Sequence, residues 1–80
     1  MSKQDLKRIG KISQMYRDSF IGVTQATMAD RIGRSNTTIY KFENGLINKP
    51  EAYVLLYAQQ MEGEVKEEYL EKTLGSLGVL

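Results

Sequence analysis

The sequence predicts an all-α fold, a domain of four or five helices, and two observations carry that prediction. Wherever apolar residues recur with a period, they recur every three or four positions, which places them on one face of a helix. No segment alternates apolar and polar residues as a half-buried strand does. A chain of 80 residues can enclose only one small core. We therefore expect a single domain over residues 1–80.

The first predicted helix covers roughly residues 4–18. Its inward face is apolar and comprises Leu6, Ile9, Ile12, Met15 and Tyr16. Its outward face comprises Lys7, Arg8, Lys11 and Ser13. Residues 18–22 break this spacing, so we expect the helix to end there.

The second predicted helix is short. Thr24 offers a side-chain oxygen that caps a helix beginning at Gln25. Gly33 ends this helix, because glycine readily takes the left-handed conformation required just past a helix C-terminus. The apolar stripe between the two ends comprises Met28, Ala29 and Ile32.

The third predicted helix, residues 36–44, begins after the turn Gly33-Arg34-Ser35. Ser35 caps it, and Asn44-Gly45 ends it. Ile39 and Phe42, three positions apart, define its inward face. Small Ala29 lets the second helix approach closely. The third helix is therefore expected to lie with its polar face outward.

That outward face carries neutral polar groups and one cation. It comprises Asn36, Thr37, Thr38, Tyr40 and Lys41. Asparagine pairs with adenine through two hydrogen bonds, lysine pairs with guanine acceptors, and a threonine methyl packs on the methyl of thymine. We therefore predict that these five residues contact base edges in the major groove of DNA.

A fourth helix is predicted after Asn44-Gly45. Pro50 suits its first position, because the fixed φ of proline is already helical and its missing N–H is not needed there. The run 52–58 has apolar residues on more than one face. Gly63 and Glu64 interrupt the pattern. A fifth, acidic helix ending at Gly75 is predicted from Val65, Tyr69, Leu70 and Leu74.

The net charge of +1 is the sum of two opposed halves. Residues 1–50 carry nine Lys or Arg against four Asp or Glu, whereas residues 51–80 carry two Lys against six Glu. A domain with one side that faces a polyanion has this asymmetry. Chance in so short a chain is the alternative explanation.

The composition argues against an enzyme or a metal protein. The chain has no cysteine and no histidine, so it lacks thiolate and imidazole metal ligands and the commonest general base. It also lacks a glycine-rich loop that would bind the phosphates of a nucleotide. We expect no catalysis, no cofactor, no metal and no small-molecule substrate.

No segment predicts contact with a membrane. The longest apolar stretch, residues 52–58, is far shorter than the roughly 20 residues of a membrane-spanning helix. Residues 1–5 are polar and do not resemble a signal peptide. We expect a cytoplasmic protein.

Residues 23–45 resemble the helix-turn-helix of the phage repressor and Cro family, also called XRE-like. The elements that carry the resemblance are Thr24-Gln25, Ala29, Gly33, Ser35, Thr38-Ile39, Glu43-Asn44-Gly45 and the later Pro50. With the flanking helices, the resemblance covers roughly residues 5–61 and leaves the acidic segment 62–80 unmatched. It implies a lambda-repressor-like domain that binds double-stranded DNA as a homodimer on a near-palindromic operator. Whether such a protein represses or activates transcription stays open.

The resemblance also implies roles for single residues. It places Asn36, Thr37 and Lys41 against bases. It places Gln25, Ser35 and Asn44 against DNA phosphates. In physical terms, the N–H groups at the start of the second helix suit a phosphate. The alternative is that these phosphate candidates only cap or end helices.

The chain departs from the family pattern in three places. The stretch 17–24, ahead of the second helix, is longer than usual. Arg34 replaces an apolar residue, and either thins the core or adds a phosphate contact. Tyr16 stands where relatives often have an arginine that pairs with the glutamate matching Glu43, and Arg17 is the alternative partner for that glutamate.

The segment 62–80 is predicted to be an acidic helix and tail. Its glutamates form either a solvated helix face or a motif that binds a partner. Its apolar residues, with those of the fourth helix, exceed what one small core encloses, so we expect a homodimer. The residues expected at or near this interface are Tyr53, Val54, Leu56, Tyr57, Leu74, Leu77, Val79 and Leu80.

The main alternative function is that of a protein-interaction regulator of the antirepressor type. Such a protein would keep the fold and bind another regulator through the third helix or the acidic tail. A steeply salt-dependent shift in duplex mobility distinguishes DNA binding from this alternative.

Overall fold

A computed structural model describes residues 1–75, and that part of the chain folds into five α-helices without a β-strand. The helices are α1 Lys3–Tyr16, α2 Gln25–Ile32, α3 Asn36–Glu43, α4 Glu51–Ala58 and α5 Gly63–Thr73. A π-helical segment, Arg17–Ile21, continues α1. The prediction of an all-α fold is confirmed, with five helices. Leu77, Val79 and Leu80, expected at a dimer interface, lie outside the described residues.

All five helices contribute to one hydrophobic core. α1 packs against α3 and α5, α2 packs against α3, and α4 packs against α5. The buried apolar side chains of this core are Ile9, Tyr16, Met28, Ala29, Ile32, Ile39, Phe42, Val54, Tyr57, Ala58, Met61, Tyr69 and Leu74. α1 therefore contacts both the polar third helix and the acidic fifth helix.

The starts of α2 and α3 follow the predicted capping chemistry. The Thr24 hydroxyl accepts a hydrogen bond from the Thr27 N–H at 3.2 Å, and the Ser35 hydroxyl accepts one from the Thr38 N–H at 3.1 Å. Each cap of this kind stabilises a helix by about 1 kcal/mol. Gly33 ends α2 in the left-handed conformation, with φ of +67°. These three predictions are confirmed.

Two glycines let α1 and the end of α3 meet at backbone distance. A Cβ added at Gly10 would lie 2.5 Å from the Glu43 carbonyl oxygen and 2.6 Å from that of Phe42. A Cβ added at Gly45, which has a φ of +74°, would lie 2.8 Å from the Lys7 nitrogen. No side chain fits at either position without displacing the backbone opposite.

Two face assignments in α1 are wrong. Ser13 is fully buried rather than outward, and its hydroxyl donates to the Ile9 carbonyl at 2.8 Å and is hydrogen-bonded to the Tyr69 hydroxyl at 2.7 Å. Met15 is 46% exposed rather than inward. The reason is the docking of α5 on α1, which buries the side that carries Ser13.

The helical structure of α1 ends within the predicted residues 18–22, but in a form that the spacing did not predict. Helical structure continues through Arg17–Ile21 in the wider π-helical form and ends at Gly22, whose φ is +75°. A π-helical turn accommodates extra residues without ending the helix. The long stretch 17–24 is therefore absorbed into a helical extension of α1.

α4 begins at Glu51, and Pro50 precedes it as the cap, one position earlier than predicted. Val54 and Tyr57 are fully buried, whereas Leu55 is 50% exposed. The buried residues of α4 are Val54, Tyr57 and Ala58 on one face, and Tyr53 and Leu56 are partly buried beside them. The prediction did not anticipate that α5 of the same chain covers part of that surface.

α5 begins at Gly63, so the predicted interruption at Gly63 and Glu64 is in fact the first turn of the helix. It ends at Thr73, and the next residue, Leu74, is 2% exposed. The domain itself therefore buries Leu74, which the sequence assigned to a dimer partner.

Candidate nucleic-acid interface

α3 is anchored from its inner side. Ile39 and Phe42 are 0% and 1% exposed. The Phe42 ring stacks on Tyr53 at 5.4 Å between centroids and meets Tyr57 edge-on at 5.0 Å. Such aromatic pairs stabilise beyond the area that they bury. The position of α3 in the domain is therefore fixed by its interior contacts, as the sequence predicted.

The outer side of α3 presents four exposed polar side chains. They are Asn36, Thr37, Tyr40 and Lys41, and Tyr40 is 54% exposed. Residues four apart are neighbours on a helix, so these four form one continuous patch, which we call the α3 face. Thr38 is less exposed than these four residues, and its hydroxyl is hydrogen-bonded to the Ser35 hydroxyl at 2.8 Å. The Thr38 hydroxyl therefore already takes part in the cap of α3.

The end of α3 is held by a buried polar network, the Glu43 cluster, made of Arg17, Gln25, Glu43 and Tyr57. Arg17 Nε lies 2.7 Å and Nη2 3.0 Å from the two carboxylate oxygens of Glu43. The Gln25 amide donates to the same carboxylate at 3.0 Å, and the Tyr57 hydroxyl donates at 2.7 Å. Four donated hydrogen bonds satisfy this carboxylate, as burial of a charge requires.

The protonation states in the Glu43 cluster follow from burial and pairing. The hydrogen bond to Glu43 raises the pKa of Arg17, so this guanidinium stays charged. Burial, and then the hydrogen bond to Glu43, raise the pKa of Tyr57 well above its ordinary value of 10.0. Tyr57 therefore stays a donor wherever the domain is folded.

Two of the predicted phosphate contacts lie together at the end of α3. Gln25, the first residue of α2, is tied to Glu43, and Asn44 follows Glu43 in the chain. The Asn44 amide donates to the Tyr40 carbonyl at 2.8 Å. An amide nitrogen carries two hydrogens, so each of these side chains keeps one N–H for a ligand.

The other two predicted phosphate contacts lie at the start of α3. Ser35 is exposed and uses its hydroxyl in the cap. Arg34 is exposed, donates to the Gly33 carbonyl at 3.2 Å and places its guanidinium 5.8 Å from the centre of the Tyr53 ring. That contact lies within the range of a cation–π interaction. The four candidates therefore flank the α3 face at its two ends.

A groove beside the end of α3 was not predicted. It is open, with a volume of about 320 Å³, and is lined by Lys7, Lys11, Gln14, Glu43 and Asn44. The signal for it in the sequence is Gly10, because a glycine inside a helix marks a place where another segment comes close. Of the lining residues, Asn44 alone belongs to the predicted contacts.

Within residues 1–75, each helix is too short or too polar to span a bilayer. No group of three acidic side chains in that range is arranged as ligands for a metal ion. No protein-family model, no curated protein and no solved structure matches this chain. The proposed function therefore rests on the geometry of the α3 face and its surroundings.

Proposed function

We propose that this protein is a sequence-specific regulator of transcription that binds double-stranded DNA through a helix-turn-helix formed by α2 and α3. The observation that carries the proposal is the α3 face. Asn36, Thr37, Tyr40 and Lys41 are exposed on a helix whose opposite side is fully buried. These side chains supply the donors, acceptors and methyl group that distinguish base pairs in the major groove.

The connection between α2 and α3 supports the helix-turn-helix. Three residues separate the helices, and Gly33 takes the left-handed conformation that a sharp turn between them requires. Ala29 is 3% exposed and small enough to let the two helices pack closely. A second helix held in this way projects one face from the domain, as entry into a groove requires.

The distribution of charge supports the same orientation. Five of the six glutamates in residues 51–80 belong to α5 and the residue before it, and α5 packs chiefly against α1 and α4. The α3 face has no carboxylate, since Glu43 is buried. A polyanion is therefore repelled by α5 and attracted to the side that carries α3.

We also propose a homodimer on a near-palindromic operator. The described domain measures 30 × 28 × 18 Å. Two domains of this size fit side by side on half-sites one turn of DNA apart, the 34–36 Å that is usual in helix-turn-helix operators. Because Val54, Tyr57 and Leu74 are buried within one chain, the interface would use exposed side chains such as Leu55.

The decisive test is selection from a pool of random duplexes, followed by a mobility-shift titration of the enriched sequence at several salt concentrations. We expect one enriched sequence with approximate two-fold symmetry, bound with an affinity that falls steeply as salt rises. Absence of any duplex binding at low salt would refute the proposal.

One observation favours the alternative of a protein-interaction regulator. Phe20 and Leu46 are 55% and 60% exposed, and a partner protein would bury apolar side chains of this kind. In that case a partner protein, and no duplex, would form a stable complex with the chain. The same mobility-shift titration separates the two functions.

A further inference from the structure

We infer that the groove between α1 and the end of α3 is a second phosphate-binding element, which holds the DNA backbone beside the bases that the α3 face contacts. This inference rests on the proposed function and extends the DNA interface onto α1. The groove residues that would hold the backbone are Lys7, Lys11, Gln14 and Asn44. None of the first three was assigned a role from the sequence.

The charge balance of the groove selects an anion. Glu43 is its one acidic residue, and both of its carboxylate oxygens already accept bonds from buried partners. Its side chain is 1% exposed. Lys7 and Lys11 form no salt bridge among the described residues. Two uncompensated ammonium groups and two amides therefore face open space, which suits a phosphate.

The spacing of the two lysines matches a nucleic-acid backbone. Lys7 and Lys11 are four residues apart on α1, so they share one face and differ by about 6 Å along the helix axis. Each strand of duplex DNA carries one charge per roughly 3.4 Å of axis. A separation of about 6 Å corresponds to about two such intervals, so the two ammonium groups can each contact a different phosphate of one strand.

The groove is fixed relative to the α3 face. Gly10 lies against the carbonyls of Phe42 and Glu43, and Gly45 lies against the backbone of Lys7, so α1 and the end of α3 are in close backbone contact. Asn44 both lines the groove and follows the last residue of α3. A DNA strand whose bases contact α3 can therefore continue into the groove without a conformational change in the protein.

The test compares the unsubstituted protein with the double variant Lys7→Gln, Lys11→Gln. Binding to a fluorescent duplex of random sequence is measured by anisotropy over a range of salt concentrations. The slope of log affinity against log salt falls in magnitude by about 0.9 for each phosphate that the protein no longer neutralises, so we expect a decrease of about 1.8. The double variant Lys7→Arg, Lys11→Arg keeps both charges and should keep the slope.

The matched control removes two positive charges elsewhere. Arg31 lies exposed in the last turn of α2, and Lys66 lies on α5. The double variant Arg31→Gln, Lys66→Gln has the same net charge as the test variant, and we expect it to keep the slope of the unsubstituted protein. An equal decrease in both double variants would show an effect of net charge alone and would overturn the inference.

If the unsubstituted protein binds the duplex and the glutamine variant keeps its slope, the groove is not a phosphate site, although the proposed function stands. In that case a lower melting temperature would assign the lysines to the negative end of the α3 dipole. If the unsubstituted protein binds no duplex, both proposals fail. Should the double variant not fold, the single variants, each expected to change the slope by about 0.9, decide the question.

Discussion

Arg17 and Glu43 form a two-bond ion pair inside the domain, with Nε–Oε2 and Nη2–Oε1 distances of 2.7 and 3.0 Å. The side chains are 7% and 1% exposed. Arg17 lies in the π-helical segment and Glu43 ends α3, so the pair joins the extension of α1 to α3, the proposed recognition helix. Through Gln25, the same carboxylate also joins the start of α2.

Breaking this pair should unfold a large fraction of the protein. The glutamine side chain of Glu43→Gln has nearly the same shape as glutamate, but it removes the counter-charge of the buried Arg17 guanidinium. It also points an amide N–H at the donor groups of the Glu43 cluster. Loss of one partner of a buried ion pair costs about 3–5 kcal/mol. For a domain of this size each kcal/mol lowers the melting temperature by about 4–8 °C. Thermal melts followed by circular dichroism measure the effect.

The control is Glu67→Gln, at an exposed position on α5. A substitution there should change stability by no more than about 0.5 kcal/mol. If Glu43→Gln melts at the same temperature as Glu67→Gln, the Glu43 cluster does not stabilise the fold.

The sequence predicted features that depend on neighbouring residues. The caps at Thr24 and Ser35 and the end of α2 at Gly33 follow from side-chain and backbone chemistry within a few positions. The burial of Ser13 depends on Tyr69, which is 56 positions away in the chain. A periodic pattern within one helix contains no information about such a partner.

In the candidate site, too, some features were predictable from nearby residues and others were not. The exposure of the α3 face follows from the buried positions of Ile39 and Phe42, which the spacing predicted. The Glu43 cluster also needs Tyr57 from α4, and the groove needs the crossing of α1 over the end of α3 at Gly10. Both depend on tertiary packing, which the spacing of residues in one segment does not specify.

Gly10→Ala should destabilise the domain, because the new methyl group would lie about 2.5 Å from a backbone carbonyl that cannot move alone. Overpacking of this kind costs about 1–3 kcal/mol. Urea unfolding of Gly10→Ala, beside Met15→Ala at an exposed position of the same helix, measures the cost. An unchanged urea midpoint for Gly10→Ala would mean that α1 and α3 are not in backbone contact at this position.

Stability should fall at alkaline pH. Burial raises the pKa of Tyr57 and that of Tyr69, so both phenols stay protonated in the folded domain above pH 10, where they ionise in the unfolded chain. The two phenols make their full contribution to the free energy of unfolding below about pH 10. Above that pH, the free energy of unfolding falls by about 1.4 kcal/mol per pH unit for each tyrosine.

Tyr69→Phe removes one of these phenols and should reduce the alkaline slope of the unfolding free energy by about 1.4 kcal/mol per pH unit. The slope is obtained from urea unfolding at a series of pH values above 10. Tyr40→Phe, on the exposed α3 face, is the matched control and should leave the slope as it is. Identical slopes for the Tyr69 variant and this control would argue against a buried Tyr69.

Sedimentation equilibrium should show a homodimer at tens of micromolar. Leu55 is half exposed on α4, so Leu55→Glu should shift the protein to monomer without unfolding it. Leu74→Glu is not a test of the interface, because Leu74 is buried within one chain and its replacement should unfold the domain. A clean monomer for the unsubstituted protein would refute the dimer.

Single variants at base contacts and at phosphate contacts should change DNA affinity in different ways. If Asn36 and Lys41 read base edges, Asn36→Ala and Lys41→Ala each cost about 1–3 kcal/mol on the selected operator and relax the preference at one base pair per half-site. On a random duplex the same variants should bind almost as the unsubstituted protein does, because base contacts specify whereas phosphate contacts position. Equal losses of affinity on both duplexes would mean that α3 is not the recognition helix.

Asn44→Ala should behave differently from the α3 variants. Removal of a phosphate contact weakens binding to operator and random duplex by similar factors, so the ratio of the two affinities stays nearly constant. Gln25→Ala should show the same constant ratio together with a lower melting temperature, because Gln25 also donates to Glu43. Ile39→Asp places a charge beneath α3 and should unfold the domain, which separates unfolding from a specific effect on DNA binding. A changed affinity ratio in Asn44→Ala would assign this residue to the bases instead of the backbone.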